Sequence, residues 1–107
     1  MSARGALVTV ALPGDYGKPR PALIVQSHVL QALDSVVLCP ITSEVHEAMF
    51  RVTVAPSDMN GLKAVSQVMV DKLMTLPRHK VGPPFGQLEE VRMRAVDRAL
   101  LLVIGVI

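Results

Sequence analysis

The chain has almost no aromatic side chains: two Phe, one Tyr and no Trp among 107 residues. Its core must therefore be aliphatic, and a nucleic-acid surface built from rows of stacked rings is excluded. Cysteine is scarcer still. Cys39 stands alone, which rules out an internal disulfide and a thiolate metal cage, so neither a metal nor another cofactor is expected. An unbridged domain of this size points to a reducing compartment. Lying in an apolar run before Pro40, Cys39 reads as an inert core thiol. Long hydrophobic runs are also missing. The longest uncharged apolar stretch, Ala99 to Ile107, has nine residues, about half of the ~20 that span a bilayer as a helix. The first ten residues carry one positive charge and too short an apolar run for a signal peptide, so no membrane association and a cytoplasmic location are expected.

Charge is sparse, with 19% Asp, Glu, Lys and Arg and a net +2. It is uneven: residues 61–86 hold Lys63, Lys72, Arg78 and Lys80 against Asp71, a local +3 that permits a phosphate-bearing partner without requiring one. What is abundant is apolar residues, at 50%, and the mean hydropathy is +0.43. That excludes intrinsic disorder. It is also more apolar than a small monomer needs, which implies a buried subunit interface.

Length and the absence of linkers or repeats predict one domain over residues 1–107. Seventeen valines bias it toward strands. Apolar runs at Gly5–Leu12, Arg20–Gln26, Ser35–Cys39, Met49–Ala55, Val65–Leu73 and Leu73–Leu76 are punctuated by Pro, Gly, Asp and Asn, the pattern of a small barrel or sandwich. In Met49–Ala55, Phe50, Val52 and Val54 are expected inward. Pro13–Pro19, Pro56–Gly61 and Val81–Gly86 read as loops. From Leu88 the positions Leu88, Val91, Ala95, Val96, Ala99 and Val103 follow helical spacing, with Glu89 and Glu90 in the first turn. Beyond Arg98 the helix is apolar on every side, and a second copy of the chain is the simplest cover.

Enzyme signatures based on Gly-rich phosphate loops, a nucleophile elbow or paired metal-binding histidines are absent. His28, His46 and His79 are isolated. Three polar islands remain at the ends of apolar runs: Asp15–Pro21, Pro40–Ser43 and Asp71-Lys72. Taken alone they read first as ordinary solvated turns, and second as the places where a rigid scaffold presents function.

These islands carry a resemblance. Arg4-Gly5 before a strand, G-K-P-R-P-A-L-I-V-Q at 17–26, V-V-L-C-P-I-T-S at 36–43, F-R-V-T-V at 50–54 and S-Q-V-M-V-D at 66–71 occur in the order of the MazF/PemK toxins of toxin–antitoxin systems. The resemblance spans nearly the whole chain. It implies a mainly β fold, a small, strongly curved SH3-like barrel with a C-terminal helix, working as a homodimer. It also implies metal-independent cleavage of single-stranded RNA, held in check by a cognate antitoxin.

By the same resemblance, Arg20 matches the catalytic arginine and Thr42 the catalytic threonine, with Ser43 beside it as a phosphate or ribose contact. Asp15 and Lys18 in the first loop are implied RNA contacts, Asp15 being placed to orient Arg20 or to share in proton transfer. Phe50 matches an aromatic that touches RNA, though inward packing suits it equally. Asp71 matches an acidic strand-end position, with a salt bridge to a nearby cation as its other reading. Departures are Ala6 for an acidic residue, Gly14 for a loop His, Met69 for an arginine, and two prolines in Gly82–Phe85. The contrasting reading on the same fold is a gyrase poison of the CcdB type, or a silent binding barrel. The first relies on an aromatic near the C-terminus, which Val103–Ile107 lacks.

Overall fold

The computed structural model describes residues 3–14 and 16–107. Among the described residues, seven strands and one α-helix follow in chain order: β1 (Ala6–Ala11), β2 (Pro19–Ile24), β3 (Ser35–Thr42), β4 (Arg51–Val54), β5 (Ser66–Met69), β6 (Met74–Pro77), β7 (Val81–Gln87) and α1 (Glu90–Val103). All pairings are antiparallel, in the order β4-β5-β3-β2-β1-β7. The order does not return β7 to β4, so the sheet is curved but open. β3 is long enough to serve two partners along one side. Its first half pairs with β6 from Ser35↔Pro77 to Leu38↔Met74, and its end pairs with β5 through Ile41↔Val68 and Thr42↔Gln67.

The near-continuous apolar runs have a simple cause: both sides of the central strands are covered. Leu7, Leu23, Cys39, Ile41, Val52, Val54 and Val68 join Leu88, Met93, Val96 and Ala99 in one core beneath α1. Their sequence neighbours Ala6, Val8, Ala22, Ile24 and Leu38 join Val10, Val36 and Leu76 in a second core, which the curling sheet encloses. Alternation along each strand thus feeds two cores. Arg4 ties the chain start to both layers, donating from Nε to the Val25 carbonyl at 3.0 Å and pairing with Asp97 of α1.

Two expectations need correction. Val81–Gly86, read as a loop, is the body of β7. Pro83 and Pro84 are tolerated because β7 pairs only with β1, along an irregular register, so their missing N–H groups deprive no second neighbour. On α1 the buried stripe is Met93, Val96 and Ala99, while Val91 is exposed. The helix ends on Gly105 at φ 82°, where Val106 N–H reaches the Leu101 carbonyl at 2.8 Å and Gly105 N–H the Leu102 carbonyl at 3.2 Å. This is a Schellman cap, and it needs a left-handed residue there. No helix among the described residues is long and apolar enough to cross a membrane.

Candidate functional site

A groove of about 800 Å³ opens at the end of β2 and β3, lined on that side by Arg20, Pro21, Thr42 and Ser43. The last rung between the two strands is Ala22↔Pro40. Two residues further along each strand are Arg20 and Thr42, so the antiparallel run of β2 and β3 carries these positions, 22 apart in sequence, toward the same end of the sheet, where both line the groove. Arg20 is exposed and Thr42 half-buried. The Thr42 hydroxyl accepts the Glu44 N–H at 3.1 Å, which closes a small turn and leaves its own hydrogen to donate elsewhere. Glu44 also borders the groove.

The loop that follows is pinned from below. Gln67, 3% exposed, accepts the His46 N–H at 2.9 Å and donates to the His46 carbonyl at 2.7 Å and to Thr53 Oγ1 at 3.1 Å. Its amide acts as an extra ladder rung that holds His46, three residues past Ser43 of the groove. A second wall comes from residues 61–64, with Lys63 exposed, and from Phe85 of β7. Asn60 anchors that wall. It is wholly buried, its Oδ1 accepting the Ser57 and Leu62 N–H groups at 3.0 and 2.9 Å. Its amide donates to the Ala55 carbonyl and to the Glu89 carboxylate, and Glu89 also accepts the Ser57 hydroxyl at 2.5 Å. The Ser57 hydrogen bond is the main reason that the Glu89 carboxyl is held below its ordinary 4.5.

Of the residues singled out from sequence, Arg20, Thr42 and Ser43 share the groove, whereas Lys18, Phe50 and Asp71 do not line it. Lys18 is exposed in the first loop, and Phe50 is half-buried in the turn before β4. Asp71 lies on a 3-10 turn at Val70–Lys72, with Arg51 Nε 3.7 Å from its Oδ1 and Lys72 Nζ 4.0 Å from its Oδ2, the salt-bridge alternative for this residue. Asp15 lies outside the described residues. Cys39 is fully buried, and burial together with the charge of Asp71 pushes its thiol up to about 12. Sequence reasoning missed Lys63, Phe85, Asn60 and Gln67. Asn60-Gly61 was legible only as a turn signal, since nothing local distinguishes a solvated Asn from one buried against a carboxylate 29 residues away.

The described residues thus form an open antiparallel sheet with one covering α-helix, and an arginine, a threonine and a serine gather in a groove at its strand ends. The chain belongs to the family of PemK-like, MazF-like toxins of type II toxin–antitoxin systems, matched over residues 3–104. It is 40% identical over 105 residues to a probable endoribonuclease MazF of Mycolicibacterium smegmatis, covering 96% of each chain. Among solved structures, an endoribonuclease in complex with its cognate antitoxin from a mycobacterial species superposes with a TM-score of 0.86 at 23% identity, over 100% of this chain and 98% of that one. The Mycobacterium tuberculosis toxin MazF-mt6 follows with a TM-score of 0.81 at 26% identity, over 94% and 96%.

Proposed function

We propose that this toxin is an endoribonuclease that cuts single-stranded mRNA through the substrate's own 2′-hydroxyl, and that a cognate antitoxin represses it. The observation supporting this reading is the meeting of Arg20 and Thr42, with Ser43, on one groove of a chain that belongs to this family. In such a cleavage the 2′-oxygen forms a new bond to phosphorus, the bond from phosphorus to the 5′-oxygen breaks, one proton leaves the 2′-hydroxyl and one reaches the departing oxygen. The protein needs no nucleophile of its own.

What the protein supplies is charge stabilisation. The Arg20 guanidinium forks onto two non-bridging oxygens of the phosphorane, a geometry that an ammonium cannot reproduce. The Thr42 hydroxyl, already accepting the Glu44 N–H, donates its hydrogen to the phosphoryl group. Donors fixed before the reaction are worth more than mobile water, because nothing reorganises as charge develops. Neither role calls for a metal. The products are a 2′,3′-cyclic phosphate and a 5′-hydroxyl, and the substrate places the protein in the cytoplasm.

The test is incubation of the purified protein with single-stranded RNA in EDTA, followed by end-group analysis. Cleavage with cyclic-phosphate ends is expected, together with loss of cleavage when the scissile nucleotide is 2′-deoxy. Cutting of the deoxy substrate, or activity that EDTA removes, overturns the mechanism. An inert protein that inhibits gyrase favours the contrasting reading.

A further inference from the structure

Phe85 is out of place in a chain whose core is aliphatic. Its ring lines the groove, 40% exposed, and it is the only aromatic among the lining residues. Its seat is rigid. Gly61 lies against it with φ 71°, and a Cβ there would come within 2.8 Å of the Phe85 carbonyl oxygen and 3.1 Å of its ring. Gly61 follows Asn60, whose side chain is bonded on every side, and Met59 accepts the Gln87 N–H at 2.9 Å just beyond Phe85. Loop and strand are therefore clasped together. Two residues past Gly61, Lys63 is exposed on the same wall and pairs with no carboxylate among the described residues. Among the described residues, the ionic side chains lining the groove are Arg20, Lys63 and Glu44.

We propose that Phe85 and Lys63 form a subsite for one unpaired nucleotide of the RNA, the ring stacking under the base and the ammonium meeting its phosphate. Asn60 is the positioning residue that holds both on the second wall. This rests on the reading of the groove as an RNA site. A single exposed ring on a fixed backbone is a sequence-tolerant platform, because every base has a π-face. A neighbouring cation supplies the salt-dependent part of single-strand binding. The occupant is a nucleotide rather than a purely apolar peptide, because the exposed cation Lys63 lines the same groove as the ring.

The experiment measures binding of a short single-stranded RNA that the wild-type protein cleaves, made uncleavable by 2′-deoxy substitution at the scissile nucleotide. Phe85→Leu should weaken binding roughly 5- to 150-fold, the loss of one stacked base. Lys63→Gln should lower the slope of log affinity against log salt by about 0.7. Phe85→Trp, the only tryptophan in the chain, should show fluorescence quenching when RNA binds. Asn60→Ala, or Ser57→Ala if that variant unfolds, should raise KM while kcat stays near wild type. A lowered melting temperature with KM unchanged would reduce Asn60 to a purely structural residue. Wild-type binding that Phe85→Leu and Lys63→Gln leave untouched overturns the subsite and spares the function, whereas a wild-type protein that binds no RNA overturns both. Retained RNA affinity with loss only of affinity for an antitoxin peptide assigns this wall to protein recognition and likewise overturns the nucleotide subsite.

Discussion

Arg20 is exposed at a strand end and belongs to neither core, so its chemistry can be removed without removing the fold. Arg20→Ala should lose cleavage by roughly 10²–10³-fold, the scale for deleting one preorganised donor. Arg20→Lys should recover little of it, while thermal melts of both variants stay close to wild type. Melts shifted in step with activity would make Arg20 structural. Glu89 offers a test of pH dependence. Its carboxyl is held below the ordinary 4.5 in the folded chain, chiefly by the Ser57 hydroxyl. A lowered folded pKa means that the charged form is the stabilising one. The contribution is complete above about pH 4.5 and is lost as the pH falls through the lower folded value. The stability gap between wild type and Glu89→Gln in urea titrations should therefore be constant near neutrality and close on acidification. A gap that widens toward low pH would contradict the assignment.

At the scale of elements, the meeting of β7 with the loop before β5 decides the groove's second wall. The two backbones approach so closely that a Cβ on Gly86 would come within 2.1 Å of the Asn60 carbonyl oxygen, well inside van der Waals contact. Backbone on both sides cannot give way as a flexible side chain would. Gly86→Ala should cost roughly 2 kcal/mol or more of stability, within the range of overpacked sites. Gly86→Ala melting like wild type would show that the wall yields easily. The same meeting explains why the sequence of β7 has the composition of a loop. Gly82, Pro83, Pro84 and Gly86 are punctuation by local propensity, and only the position of β7 outside β1 makes them acceptable in a strand. By contrast β1 to β4 were legible, because alternating or continuous apolar runs have one stable solution, a sheet covered on one side or both.

For the whole molecule, the α1 end and tail carry a run of exposed apolar side chains. Leu101, Leu102, Val103, Ile104, Val106 and Ile107 are between 37% and 66% exposed. Contiguous apolar area of this kind is usually covered in solution, and a second copy of the chain is the expected cover. Light scattering at micromolar concentration should return about twice 11.5 kDa. A value near 11.5 kDa would count against the homodimer.

The sequence alone determined the aliphatic core, the strand bias and the terminal helix, because each follows from periodicities that a local window contains. It also pointed to Arg20 and Thr42 through short motifs that resemble those of the family, and both residues line one groove at the ends of β2 and β3. Only the tertiary structure decided that Phe85 rather than Phe50 faces the groove, that Lys63 stands beside it, and that Asp71 pairs with Arg51 away from it. Those outcomes depend on contacts such as Asn60 with Glu89, Gly86 with Asn60 and His46 with Gln67, between residues 21 to 29 positions apart. No local pattern encodes them. A buried amide and a solvated one have the same neighbours in sequence, and they differ only in what the fold lays on top of them.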